Sequence, residues 1–264
     1  MIIIISIAIP LTLLVALGVA GKLRKPKPST PIEIKGQVFP KDFLWATGED
    51  AYQHEGGNLN NDWARWEQQS PSPIENGDQC GQCIDFYNRY EEDFKLAQAD
   101  HQNAHRIGLE WSRIESEEGH YDENVLNHYE EMLRSLKDKN FTVFLNLWHF
   151  TLPLWAADKG GWENETLMER WFAYVELCAT RFGKYVDYWS TMIDAQIYAL
   201  SGYALGDIPP NKQDQKLAFS IYRTMIYAHA HAYKIIKTTA ETPDSGKEPQ
   251  IGQCYFFFHY EPKG

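Results

Sequence analysis

Cysteine is scarce in this sequence, with 4 among 264 residues, too few for a disulfide framework to hold a chain of this length. Cys80 and Cys83 form a CxxC pair, but a zinc site needs a second pair of ligands, and Cys178 and Cys254 stand far apart. No histidine follows Cys83, which excludes c-type haem attachment. We therefore predict ordinary reduced thiols, no metal site and no bound cofactor.

Basic residues are also few, since 25 Lys and Arg stand against 36 Asp and Glu, for a net charge of -11. The first 28 residues contain four bases and no acid, which leaves -15 on residues 29–264. A body this acidic repels phosphate backbones, so we predict that it binds no nucleic acid. At 44% hydrophobic residues the chain can bury a substantial core, which excludes intrinsic disorder.

The first twenty residues carry no charge at all. As a helix they span ~30 Å, the thickness of the hydrocarbon layer of a bilayer. We predict a transmembrane helix over residues 1–21, with residues 1–20 in the lipid, and a basic, proline-rich linker over residues 22–38. A cleaved signal peptide is the alternative, because Gly18 and Ala20 offer small residues for cleavage, but no Lys or Arg precedes the apolar run.

The basic residues directly follow this apolar segment. The positive-inside bias then predicts a single-pass membrane protein whose globular domain, residues 39–264, lies on the cytoplasmic side.

Beyond the linker, short apolar runs alternate with longer segments of helical period, which is typical of βα units around a parallel sheet. The predicted strands cover residues 43–47, 105–111, 141–148, 188–194 and 250–257. Two predicted helices cover residues 84–99 and 213–239. Two more are indicated by their apolar faces, one after Asp122 as N-cap with Val125, Tyr129, Leu133 and Leu136, and one with Leu167, Trp171, Val175, Cys178 and Phe182.

This pattern predicts an α/β fold built as (βα)4 plus a fifth strand. Parallel strands with crossovers of this kind close into a barrel only after eight strands, so five strands leave two open sheet edges. We expect self-association, other protein subunits or a rearranged open sheet to cover them.

Six blocks of sequence follow one another in the predicted domain: FPKDFLWATGEDAYQHEGG, NNDWARWEQ, DFYNRYEEDFKLA, QNAHRIGLEWSRIESEEGHYDE, LWHFTLPLWAADKGGWEN and YWSTMIDAQIYALSGYALGDIPP. In this order they resemble the N-terminal half of glycoside hydrolase family 1, the β-glucosidase and β-galactosidase family, whose fold is a TIM barrel. The resemblance implies that the (βα)4 unit and the fifth strand form a partial TIM barrel. The resemblance covers residues 39–262. It implies that Gln53 and His149 correspond to the residues that bind sugar hydroxyls in the first subsite, and Arg106 to the arginine that braces the catalytic carboxylates.

The sequence departs from the family at the end of the fourth strand. The family carries Asn-Glu-Pro there, in which the Glu is the acid/base and the Asn bonds the sugar 2-hydroxyl, whereas this chain has Ile193, Asp194 and Ala195. Ile193 cannot make that bond. Asp194 is one methylene shorter than Glu, and a misplacement of even ~1 Å costs on the order of 10²-fold in rate.

The family's nucleophile lies in a Glu-Asn-Gly segment at the end of strand seven, which we expect this chain to lack. Glu75, Asn76 and Gly77 spell the same motif in the loop before the first long helix. A motif outside its structural context is weak, and Asn-Gly is explained by a turn.

These observations predict a pseudoenzyme derived from a retaining β-glycosidase, with no catalytic residue and vestigial positions at Asp194, Gln53, Arg106 and His149. The first hypothesis is a membrane-anchored structural or accessory subunit of a larger membrane protein complex. One alternative is a β-glycosidase completed by a second chain. The other is a carbohydrate-binding module.

Overall fold

The computed structural model describes residue 36, residues 38–243 and residues 245–256. The chain divides into two units, Met1–Phe43 and Leu44–Gly264. In the first unit, the Phe43 N–H donates to the carbonyl oxygen of Pro40 at 3.0 Å and closes a turn. The predicted membrane helix lies outside the described residues. Among the residues that are described, no helix has both the length and the apolar character needed to cross a bilayer.

Five strands make up the sheet of the second unit: β1 Ala46–Gly48, β2 Ala104–Gly108, β3 Thr142–Asn146, β4 Tyr188–Ile193 and β5 Gln250–Cys254. The helices are α1 Ala51–Glu55, α2 Asp62–Glu67, α3 Phe86–Ala99, α4 Trp111–Ile114, α5 Glu123–Asp138, α6 Leu154–Asp158, α7 Thr166–Phe182, α8 Ala195–Tyr198 and α9 Gln215–Thr239. A π-helical segment, Ala199–Leu205, continues α8.

All five strands are parallel and pair in the order in which they occur in the chain. Helices connect successive strands, as expected for βα units. This parallel α/β arrangement is the one expected of part of a TIM barrel, so that part of the predicted fold class is confirmed.

The two faces of the sheet differ. Arg106 pairs in register with Phe144, and Phe144 with Tyr188, so these side chains lie in one row, where the rings of Phe144 and Tyr188 stack at 4.3 Å between centroids. Neighbouring positions such as Val143 and Leu145 point to the opposite face and are fully buried in the hydrophobic core. The helices cover that second face, and the first face holds the partly buried row.

Two helices confirm the predicted apolar faces. Helix α5 starts after Asp122, whose carboxylate accepts hydrogen bonds from the N–H groups of Asn124 and Val125 at 2.8 and 3.3 Å. The five apolar residues predicted to share a face of α7 are all buried. Within the core, the Trp171 ring on α7 lies 5.6 Å from Trp111 and 5.9 Å from Trp162.

Several predicted boundaries are wrong by a few residues, because turns and caps override the apolar pattern. The strand predicted over residues 43–47 lies at Ala46–Gly48, after the turn that closes on Pro40. The strand predicted to reach residue 111 ends at Gly108, because Glu110 caps α4. The helix predicted from residue 84 begins at Phe86, because Asp85 has a left-handed backbone conformation, φ 57°.

Smaller differences occur elsewhere. The third strand ends at Asn146 instead of residue 148, and the fourth at Ile193 instead of residue 194. Helix α9 begins at Gln215 instead of residue 213, because the Asp214 carboxylate caps it. The fifth strand ends at Cys254, and the predicted end at residue 257 lies outside the described residues.

Candidate functional site

Two of the residues singled out in the sequence, His149 and Asp194, lie just beyond the carboxyl ends of strands, as does Asp50. Asp50 follows β1 by two residues, His149 follows β3 by three, and Asp194 comes directly after β4. Parallel α/β folds place their ligand sites at this edge, because the loops that follow the strands meet there.

Asp50 joins two of the predicted site residues. Its Oδ1 atom lies 2.9 Å from Arg106 Nη2 and 3.1 Å from His149 Nδ1. Burial by itself raises the pKa of the Asp50 carboxyl, but the hydrogen bond to His149 and the positive charges of His149 and Arg106 outweigh it and leave this pKa below its ordinary value. Asp50 therefore stays ionised and orients both side chains.

Gly48 is required for this arrangement. A Cβ atom at this position would lie 2.7 Å from Arg106 Cβ and 2.8 Å from Arg106 Nε. The missing side chain on β1 therefore lets the Arg106 side chain of β2 pass across the strand toward Asp50.

A cavity of about 380 Å³ opens beside this group. Its wall includes two of the predicted residues, Gln53 on α1 and His149, and the carboxylates of Asp50 and Glu110. Gln53 is exposed and Glu110 is buried. The cavity therefore has polar side chains near solvent and a carboxyl group at depth.

Glu110 is held by two hydroxyl groups. Ser112 Oγ donates to Glu110 Oε1 at 2.7 Å, and Thr151 Oγ1 lies 3.0 Å from both carboxylate oxygens. Burial raises the pKa of Glu110, although these hydrogen bonds oppose the increase. The hydroxyl groups fix the carboxyl at the wall of the cavity.

Glu55, the last residue of α1, anchors the helix that carries Gln53. Arg113 Nε lies 2.7 Å from Glu55 Oε2, and the Tyr129 hydroxyl donates to Glu55 Oε1 at 2.6 Å. Burial raises the pKa of Glu55 to about 7, against the opposing charge of Arg113. This network anchors the short helix to α4 and α5.

Asn146, at the end of β3, lines the same cavity and is buried. Neither atom of its amide group has a hydrogen-bond partner among the described residues. A buried amide without partners costs free energy, and a ligand in the cavity would supply the missing hydrogen bonds.

Sequence reasoning missed Asp50, Glu110 and Asn146. The available signal was their position, since each lies within three residues of the carboxyl end of a predicted strand. Which of these side chains meet depends on the register of the sheet, which the sequence alone does not provide.

Asp194 occupies a different place. Its backbone is left-handed, with φ 50° and ψ 44°, and its N–H donates to the carbonyl oxygen of Cys254 at 2.9 Å. Ile193 and Ala195 on either side are buried. Among the described residues, neither Asp194 nor Ile193 belongs to the cavity wall that holds Gln53 and His149.

The Glu-Asn-Gly sequence of this chain forms a 3-10 turn, Glu75–Gly77. Asn76 has a φ of 60°, and all three residues are exposed. The motif has the turn geometry that the sequence predicted. Within the part of the chain that is described, no three His, Cys, Asp or Glu side chains are grouped as a metal site.

Comparison with known proteins gives a consistent result. The family model of glycosyl hydrolase family 1 matches residues 35–263. A 1,4-beta-D-glucan glucohydrolase of Thermotoga neapolitana is 30% identical over 230 residues, which cover 85% of this chain and 52% of that protein. Beta-glucosidase A of Thermotoga maritima is also 30% identical, over 85% of this chain and 50% of the relative.

Solved structures agree with this result. The beta-glucosidase from Thermotoga maritima in complex with castanospermine superposes with a TM-score of 0.79 at 28% identity, over 86% of this chain and 51% of that one. A beta-glycosidase from Pyrococcus horikoshii gives a TM-score of 0.71 at 30% identity, over 77% of this chain and 47% of that one. The chain spans about half the length of the relatives that it matches.

Proposed function

The chain belongs to glycosyl hydrolase family 1. We propose that it is a catalytically inactive, glycosidase-like member of this family. In the proposal it is anchored to a membrane and serves as an accessory subunit of a larger protein complex. The observation that carries the proposed inactivity is the sequence Ile193-Asp194-Ala195 at the end of β4, where the family has Asn-Glu-Pro.

The chemistry of retaining glycosidases explains why the residues at the end of β4 matter. Their acid/base and their nucleophile flank the scissile bond at ~5 to 5.5 Å from one another. The proton donor must therefore face the space where the sugar binds. Asp194 has a shorter side chain than the family's Glu and lies outside the described cavity wall, and Ile193 has no polar atom for a sugar hydroxyl.

Hydrolysis of an aryl β-glucoside tests the proposed inactivity. We expect the purified full chain and its Asp194→Ala variant to release the aryl group equally slowly, with the Thermotoga maritima beta-glucosidase A as positive control. Faster release by the unmodified chain would overturn the proposal. Release that depends on a second, co-purified chain would also overturn it and would favour the alternative, a β-glycosidase that a second chain completes.

The exposed face of α9 supports the proposed accessory role. Phe219, Ile226 and Tyr233 follow one another at intervals of seven residues, so they lie along one side of the helix, and they are 67%, 43% and 42% exposed. Apolar side chains exposed in a row mark surfaces that bind other proteins. We expect gentle detergent extraction to yield the chain in a complex larger than the monomer.

A paired substitution tests this surface. Phe219→Ser combined with Ile226→Ser should shift the extracted protein to a smaller size, whereas Lys234→Ser on the same helix should leave the size unchanged. An unmodified chain that runs as a monomer would contradict the accessory role.

The uncharged segment at residues 1–20 supports the proposed anchor. We expect the chain to sediment with membranes after an alkaline carbonate wash and to dissolve only in detergent. A variant without residues 1–21 should move to the supernatant. Release of the full chain by carbonate alone would contradict the anchor.

Sugar binding without hydrolysis is a second candidate function. It is favoured by the cavity that contains Gln53 and His149, together with the unpartnered amide of Asn146. Isothermal calorimetry with mono- and disaccharides should then give heat for the unmodified chain, and Gln53→Ala and His149→Ala should each abolish it. Gln98→Ala, an exposed glutamine on α3, is the matched control. The absence of heat would remove this candidate.

A further inference from the structure

The CxxC pair lies in the wall of the cavity. Cys80 lines the cavity, and both Cys80 and Cys83 are free and partly exposed. Neither cysteine has a part in the proposed function. The local geometry nevertheless brings the two thiols together.

Cys80, Gly81, Gln82 and Cys83 form a tight turn. The Cys83 N–H donates to the Cys80 carbonyl oxygen at 2.9 Å, and a turn closed in this way keeps its first and fourth Cα atoms within ~7 Å. Disulfides join Cα atoms that are about 4.4 to 6.8 Å apart. The Cys83 thiol also donates to the Cys80 carbonyl oxygen at 3.2 Å, so this side chain folds back over the turn toward Cys80.

The turn is fixed at both ends to other parts of the site. The Cys80 N–H lies 3.1 and 3.2 Å from the two carboxylate oxygens of Glu67. At the other side, the Gly57 N–H donates to the Gly81 carbonyl oxygen at 2.8 Å, and a Cβ at Gly56 would lie 2.1 Å from the Gln82 carbonyl oxygen. The turn thus packs directly against the end of α1, the helix that carries Gln53.

The two thiols differ in their surroundings. Burial, the neighbouring Cys83 thiol and the Glu67 carboxylate raise the pKa of Cys80 to about 12. Cys80 is therefore protonated at neutral pH, and because the thiolate is the attacking species, Cys80 is a poor nucleophile.

We propose that Cys80 and Cys83 are a redox-active dithiol, which a low-molecular-weight disulfide such as oxidised glutathione converts into an intramolecular disulfide in the cavity wall. The Cys83 thiolate attacks one sulfur of the small disulfide, forms a mixed disulfide and releases the first thiolate. That thiolate takes the proton of Cys80, which then attacks the Cys83 sulfur and releases the second small thiolate, which takes a proton from water. In sum, two cysteines are oxidised and one small disulfide is reduced to two thiols.

The test uses the full chain in detergent, purified under reducing conditions and equilibrated with a series of reduced-to-oxidised glutathione ratios. After acid quenching and alkylation, mass spectrometry of the peptide that contains both cysteines reports its state. We expect this peptide to lose two hydrogen atoms and to carry neither glutathione nor alkyl groups. Cys254, which is exposed, serves as an internal control because its glutathione adduct proves that the oxidant was effective.

Single substitutions separate the two roles. Cys80→Ser should accumulate a glutathione adduct at Cys83. Cys83→Ser should form its adduct at Cys80 more slowly, by about tenfold, because the protonated Cys80 thiol is a poor nucleophile. The proposal is overturned if both cysteines are fully alkylated at the ratio that modifies Cys254. It is equally overturned if each of them carries its own glutathione.

Discussion

Asp50 Oδ1 lies 3.1 Å from His149 Nδ1, and this contact fixes the face that His149 presents to the cavity. Because the contact is made through Nδ1, the Asp50 carboxylate orients His149 from that side of its ring. The same oxygen contacts Arg106 Nη2 at 2.9 Å. Asp50, which follows β1, therefore orients both Arg106 on β2 and His149, which follows β3.

Asp50→Asn should lower the free energy of unfolding by about 1 to 3 kcal/mol near neutral pH, because Arg106 and His149 lose a charged partner. The pKa of Asp50 is lowered in the folded state, so its contribution is present above the unfolded value of 3.8 and is lost as the pH falls through the folded value. Denaturant unfolding at about pH 7, 5 and 3 measures this difference.

Asp138→Asn changes an exposed aspartate on α5 and is the control for the loss of one negative charge. It should unfold like the unmodified chain at neutral pH. If Asp50→Asn matches this control, the contacts of Asp50 contribute nothing to stability.

Gly48→Ala should be destabilising by about 1 to 3 kcal/mol, because the added methyl group overlaps Arg106 and must push it away from Asp50. Gly252→Ala on β5 is a matched control, since a Cβ there meets nothing within 4 Å among the described residues. The comparison uses thermal or denaturant unfolding of the two variants. Equal stabilities would contradict the steric argument.

The order of strands and long helices followed from the sequence, because apolar residues at a helical period and short apolar runs reflect burial directly. Helix α7 illustrates this, as each of its five predicted core residues is buried. Helix starts at Phe86 and Gln215 were harder to locate, since a left-handed Asp85 and a capping Asp214 decide them. Short helices such as α4 and α6 carry too few turns for a period to appear.

The site was less accessible from the sequence. Resemblance to a family supplied Gln53, Arg106 and His149. In the structure Arg106 and His149 contact Asp50, and Gln53 and His149 line one cavity. Asp50 could not be found by periodicity or spacing, because its partners are more than fifty residues away and meet it only through the register of β1, β2 and β3.

Trp171→Ala should lower the free energy of unfolding by about 3 to 5 kcal/mol, because it removes a fully buried ring that contacts Trp111 and Trp162 and leaves a cavity. Phe219→Ala is the control, since this exposed ring should change stability by less than about 0.5 kcal/mol. Chemical denaturation followed by circular dichroism measures both. A large loss in Phe219→Ala would mean that this side chain is already covered.

Asp62 gives the clearest expected dependence of stability on pH. Its Oδ1 accepts hydrogen bonds from the N–H groups of Leu152 and Trp63 at 2.8 and 3.0 Å, and burial, which these bonds oppose, raises its pKa from 3.8 to about 7. Because the pKa of Asp62 is higher in the folded than in the unfolded state, the protonated carboxyl contributes its full stabilisation below pH 3.8. This contribution is lost as the pH rises through the folded-state pKa of about 7.

Asp62→Asn keeps an oxygen acceptor and removes the titration. From about pH 4 to 8 the stability of the variant relative to the unmodified chain should therefore improve by about 3 kcal/mol. Urea unfolding across this range measures the difference, with Asp100→Asn, an exposed aspartate, as a control that should follow the unmodified chain throughout. A constant difference between Asp62→Asn and the unmodified chain would mean that Asp62 is ionised in the folded protein even in mild acid, since a carboxyl with a raised pKa must change its charge within this interval.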